Sequence, residues 1–146
     1  MLSSLDSMLF AMIVCGMVLL LVSYCTQSAL QEKHYLKENE KMLATQSFSQ
    51  SLFSKRNVAS PELGAAHYDF EKMRIESNVL DEMLLLSAKP HSLGGFVLAG
   101  IYEKTPNQKK YFFRENGDNC ISLERAAIVK SITERRAVIG VVVCEK

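Results

Sequence analysis

Between Asp6 and Glu32 the chain carries no charged side chain, and from Met8 to Cys25 only Ser23 is clearly polar. A bilayer core about 30 Å thick is crossed by about 20 helical residues, so the run is long enough to span one. Hydrocarbon offers the backbone no water to bond, which leaves a single helix as its conformation. The run contains no Pro and one Gly, Gly16. Ser4 and Asp6 are the candidates to cap this helix, since either side chain can accept from the free first-turn amides and Asp6 would sit at the favourable end of the dipole. The remaining chain, roughly a hundred residues, has to build any globular core.

A cleaved secretory leader is the competing reading. The basic n-region of such a leader is missing and the apolar stretch exceeds a usual h-region, although Thr26-Gln27-Ser28 before Ala29 is an acceptable small-residue cleavage site. A lipoprotein reading at Cys25 meets bulky Tyr24 where a small residue is needed. An uncleaved helix is therefore expected, with Tyr24 and Tyr35 suited to the headgroup level. Lys33, Lys37 and Lys41 follow the run, interleaved with Glu32, Glu38 and Glu40. By positive charge alone the later part would tilt towards the cytoplasm.

Past Thr26 the segment to Arg56 has neither Gly nor Pro and is rich in Glu, Lys, Leu, Gln and Ala, which favours helix. Glu38 stands three before Lys41, and Lys37 three before Glu40, at helical pairing distance. The membrane helix is expected to continue as a stalk, with Leu36, Leu43 and Phe48 and the nearby Leu30 and Met42 as an apolar stripe awaiting cover. Pro61 and Gly64 then break the pattern, with Ser60 placed to cap a short helix carrying Pro61 first. The next stretch reads as a strand over "KMRIE", a turn at Ser77-Asn78 and a short helix near Val79–Leu86.

From Gly94 the pattern has period two. "GGFVLAGIYEK" and "KKYFFRE" flank Thr105-Pro106-Asn107-Gln108 as a hairpin, and Asn116-Gly117 is a strong turn signal. "CISLERAAIV" and "RRAVIGVVVCE" form a second hairpin turning at about Lys130 to Glu134. If it is centred near Ile132, Cys120 faces Cys144 within disulfide range. That bridge would contribute about 3 kcal/mol by restricting the unfolded chain, and it would place the domain in an oxidising compartment outside the cytoplasm, which outweighs the weak charge rule. Two unrelated thiols are the alternative. Cys15 and Cys25 lie about 15 Å apart along one helix and cannot bridge within a chain.

Seventeen Lys and Arg against sixteen Asp and Glu give a net charge of +1 with no long block of either sign, which excludes the electrostatic footprint of a nucleic-acid binder. The chain shows no phosphate loop, zinc spacing or nucleophile motif. His34, His67 and His91 accompany different elements. His67, Asp69, Glu71 and Glu76 form a grouping common in polar connectors. The expectation is a non-enzyme with no catalytic residue, cofactor or metal. A carboxylate at position 6 in or near hydrocarbon is costly unless it reaches the surface or a cation; in a staggered bundle of such helices the amino terminus of an adjacent chain would supply one.

The opening "SLDSMLFAMIVCGMVLLLV", with Ser4-Leu5-Asp6 directly before the apolar helix, resembles the class III signal-bearing, type IV pilin-like proteins of archaea, especially minor or accessory ones. The likeness covers roughly residues 3 to 30 and is one of general layout over 62 to 144. It implies an α+β fold in which a long N-terminal transmembrane and amphipathic helix precedes a small antiparallel β-sheet domain. The expected parts are a helix over 1–56 (membrane or filament core 7–30, stalk 31–56), a connector over 57–93 with a short helix or strand, and a sheet head over 94–146. It further implies a structural filament subunit, with Asp6 and Ser4 at the assembly register. Its partners would be copies of itself or related pilin-like subunits, membrane lipid before assembly, and assembly platform proteins. The β-domain would lie outside the cell. A single-pass anchored extracellular binding or accessory protein that never polymerises is the alternative. The family's basic leader and processing site are missing before Met1-Leu2-Ser3.

Overall fold

A computed structural model describes residues 2–146 in backbone, with side chains from Asp6 onward. The chain separates into two compact units, residues 1–39 and 40–146, and one helix, α1 (Leu2–Ser54), supplies the described residues of the first and the opening of the second.

In the first unit the apolar side chains are turned outward along the whole run from Met8 to Val22, with Met12 74% and Leu20 72% exposed. Within this unit no described residue covers them, and a surface of this extent is stable only against apolar surroundings. The helix is long and apolar enough to cross a membrane, and that is the anchor the composition requires. The capping expectation is not met. The helix already runs from Leu2, so Asp6 falls in its second turn, past the free amides it would have accepted from. Ser4 also lies inside the helix, and its side chain is outside the described residues.

The second unit is a seven-stranded sheet: β1 (Ala66–Asp69), β2 (Arg74–Asp81), β3 (His91–Leu93), β4 (Phe96–Lys104), β5 (Lys109–Arg114), β6 (Asp118–Lys130) and β7 (Glu134–Glu145), with helix α2 (Glu82–Ser87) between β2 and β3. The strand order is β1-β2-β6-β7-β4-β3, and β5 also pairs with β4. The β4–β5 and β6–β7 hairpins stand where their turn residues place them. In β6–β7 the register runs from Ile121 opposite Val143 to Lys130 opposite Glu134, so the loop is Ser131-Ile132-Thr133, centred on Ile132. The sheet is mixed rather than purely antiparallel, because β2 meets β6 in parallel over Val79–Asp81 and Ile128–Lys130.

Connector residues thus contribute three strands. The stretch read as a turn at Ser77-Asn78 is the middle of β2, where Asn78 adopts φ +63° and kinks the strand without ending it. Asparagine tolerates that left-handed conformation better than most residues. Helix α2 starts only at Glu82, because Asp81 caps it: its Oδ1 accepts from the Met83 amide at 3.0 Å. Pro61 does open a short 3₁₀ turn, Pro61–Leu63, but Ser60 makes no side-chain cap; its carbonyl accepts from the Leu63 amide instead.

The core lies between one face of the sheet and the two helices of this unit. Leu98 and Ile101, Val129, and Ile139, Val141 and Val143 meet Phe48, Leu52 and Phe53 of α1 and Leu84 and Leu85 of α2. Leu98 and Ile101 are three apart yet share a face, because the β4–β7 register slips between Leu98 and Gly100; an extra residue at such a slip resets the alternation. The face of α1 that docks is Lys41, Thr45, Phe48, Ser49, Leu52 and Phe53, all buried, at spacings of three and four. Of the stripe expected from hydrophobicity only Phe48 belongs to it. Leu43 and Met42 are exposed in this unit, as are Leu30 and Leu36 in the first. Each of the three docked apolar side chains contributes about 2 kcal/mol of burial.

Candidate functional site

The polar and ionic groups fall at the start of the anchor, at the two ends of the core that hold α1 and α2, on the sheet face away from α1, and in the β1–β2 turn.

At the anchor, Asp6 is exposed and forms no ion pair among the described residues. Cys15 and Cys25 are exposed free thiols on the same helix.

The gripping end is built around the expected disulfide. Cys120 and Cys144 are bonded, S–S 2.00 Å, with Cα atoms 4.0 Å apart. Cys120 sits where the β6–β7 register slips between Asp118 and Ile121, and the adjoining Asn119 takes φ +48°. Gly117 is required here: a Cβ at 117 would lie 2.7 Å from Cys144 Cβ. The residues on the far side of each cysteine, Asn119 and Glu145, then meet, with Asn119 Nδ2 donating to Glu145 Oε1 at 2.6 Å. Into this pair α1 sends Lys41, whose fully buried amine donates to the Asn119 carbonyl at 3.3 Å and reaches Glu145 Oε1 at 3.5 Å. A buried ammonium requires such partners. The disulfide therefore fixes the two groups that receive the helix. Sequence reasoning found the cysteines but counted Lys41 only among solvated stalk charges; a lone Lys gives no signal of burial.

The opposite edge of the core is closed by a second ionic group. Arg135 forks onto Glu103, Nε to Oε1 at 3.1 Å and Nη2 to Oε2 at 3.0 Å, and also bonds Glu82 at 2.6 Å. The hydrogen bond from Arg135 holds the Glu82 carboxyl below its ordinary range, and the two carboxylates raise the guanidinium further. This ties α2 to β4 and β7.

On the sheet face away from α1, Tyr102 lies across Gly140, its directly opposed neighbour on β7, and donates to Glu124 of β6 at 2.7 Å. A Cβ at 140 would fall within the Tyr102 ring. Lys104 bonds the same carboxylate at 2.7 Å, and Lys109 stands 4.3 Å from the ring centroid. Glu124 is held below its usual range first by Lys104 and then by the Tyr102 hydroxyl.

The polar grouping in "HYDFEKMRIE" resolves into a turn. Asp69 Oδ1 accepts from the amides of Glu71 and Lys72, and Lys72 bridges Asp69 at 2.8 Å and Glu76 at 3.2 Å. The Lys72 hydrogen bonds lower Asp69 to about 2. His67 pairs across the ladder with Glu76. Among the described residues no three His, Cys, Asp or Glu gather as a metal-binding group.

Comparison with protein-family models, with curated proteins and with solved structures finds no match. The chain combines a helix suited to a membrane with a disulfide-bonded β-domain of extracellular type, the parts of a membrane-anchored surface protein.

Proposed function

We propose that the chain is a structural subunit of an extracellular type IV pilus-like filament or cell-surface assembly, held in the membrane by α1 before assembly and packed through it afterwards. The observation that carries this reading is that one uninterrupted helix does two jobs: its early residues present bare apolar side chains, and residues 41–53 are built into the core of a folded head. A chain so divided joins a folded head to an apolar run that lipid or the helices of neighbouring subunits would cover. The disulfide supports an oxidising, extracytoplasmic setting for the head.

Asp6 has the register role. A carboxylate at the threshold of an apolar run is stabilised by a cation when it lies in or near hydrocarbon, and the terminal amine of an adjacent copy is the cation a staggered bundle brings to it. Copies of the chain or related subunits, and platform proteins that draw them from lipid, are the partners this requires. The unpaired edge of β6 described below favours a second reading, an anchored accessory protein whose head binds a partner without polymerising.

Electron microscopy of native surface fractions, with the N-terminal residue fixed by mass spectrometry, tests the choice. Filaments with α1 packed in the core, lost in Asp6→Ala while the anchored monomer persists, are expected. A monomer whose location and association are untouched by Asp6→Ala would overturn filament assembly.

A further inference from the structure

Strand β6 has thirteen residues, and β7 accompanies it from end to end, but β2 joins its other edge only at Ile128–Lys130. Upstream of that contact the kink at Asn78 carries β2 away. Over residues 121–127 the outer edge of β6 therefore has no neighbouring strand, and no backbone bond to a loop or helix reaches it among the described residues. Ser122, Arg125 and Ala126 are exposed. Alternate amides and carbonyls along such an edge form a ready template for another strand.

The fork between β2 and β6 opens into a groove of about 460 Å³. Its floor is aliphatic, with Val79, Ala126, Ile128 and Val138, and no carboxylate lines it. Lys104 at the rim is committed to Glu124. Arg136, also at the rim and exposed, makes no ion pair among the described residues, and neither does Arg74, which continues the lining along β2. The nearby acids Asp69, Glu76 and Glu124 are all held by lysines.

We propose that this fork is a strand-addition site for an extended, carboxylate-bearing segment of a partner protein. The partner backbone pairs with β6 over 121–127, an aliphatic side chain fills the groove, and its carboxylates meet Arg136 and Arg74. Bare anionic polymers would satisfy the guanidiniums but not the backbone edge or the apolar floor; a polypeptide satisfies all three.

The test uses the full chain in detergent micelles and amide hydrogen exchange. A synthetic octapeptide of alternating valine and glutamate should slow exchange within residues 121–127 and leave the β4–β7 amides unchanged. Its valine–lysine counterpart should not. Arg136→Glu should weaken binding by at least about tenfold, and Arg136→Lys should restore most of it. Methylating alternate amide nitrogens of the peptide should abolish protection. Equal protection by the methylated peptide or by an acidic polysaccharide would overturn the proposal in favour of charge alone. Protection that grows with protein concentration in the absence of peptide would overturn it in favour of a second copy. No protection at millimolar valine–glutamate peptide would overturn it outright.

Discussion

Replacing Lys41 with Met tests how α1 is held to the head. The stem of the side chain is retained and only the amine is lost. At 3.5 Å from Glu145, an ion pair in surroundings of effective dielectric about 20 is worth about 5 kcal/mol before desolvation. Burying the ammonium offsets several kcal/mol of that. The Glu145 side chain retains 16% exposure, so water screens part of the remainder. The variant also leaves Glu145 facing the Met thioether, although Asn119 continues to donate to it. The balance is a loss of about 2 kcal/mol, or about 10 °C in the midpoint for a head of this size. Thermal unfolding of the full chain in micelles measures it, and exchange at residues 41–54 shows where the loss falls. Lys41→Met combined with Glu145→Gln should recover about half, since the carboxylate that faced the ammonium is then neutral as well. A single variant within about 0.5 kcal/mol of the parent would refute the idea that the buried ammonium holds the helix.

Three other perturbations address separate parts of the head. Gly140→Ala should destabilise by about 2 kcal/mol, because the new methyl group displaces the Tyr102 ring; Tyr102→Ala in the same chain should remove most of that added penalty, as read by denaturant midpoints. Cys120→Ala with Cys144→Ala should cost about 3.5 kcal/mol from a 24-residue separation and should speed exchange in α1 near Lys41 more than in α2. Asp69 has a folded pKa depressed to about 2, so its contribution to the β1–β2 turn is present above the ordinary carboxylate value near 4 and is lost as pH falls through about 2. Carboxyl NMR should show that low midpoint for Asp69; a midpoint near 4 would contradict the turn geometry.

What the sequence made legible was local. The uncharged run allowed only a helix, and the turn chemistry of Thr105–Gln108 and Lys130–Glu134 fixed two hairpins closely enough to oppose Cys120 and Cys144. Contacts that join distant segments were not legible. The parallel meeting of β2 with β6 depends on a left-handed Asn78 inside a strand, where asparagine ordinarily marks a turn. The docking face of α1 contains Lys41, Thr45 and Ser49, which hydrophobic periodicity assigns to water. Thr45 is hidden because its hydroxyl bonds back to the Lys41 carbonyl at 2.8 Å, and Lys41 because acceptors 78 and 104 residues away receive it. The expected helix over 1–56 matches α1 closely, but Asp6, a good capping type, lies inside it rather than at its start.

Strand β7 lies between β6 and β4, and it is the last of these elements in chain order. During synthesis the anchor emerges and can enter lipid while the head still lacks its middle. Until β7 arrives, the facing edges of β4 and β6 have nothing between them, and Lys41 has no Glu145 to meet. The head therefore completes its fold only after its last strand is made, and a nascent chain stalled before Glu134 carries an unfinished head, with the aggregation hazard of open strand edges.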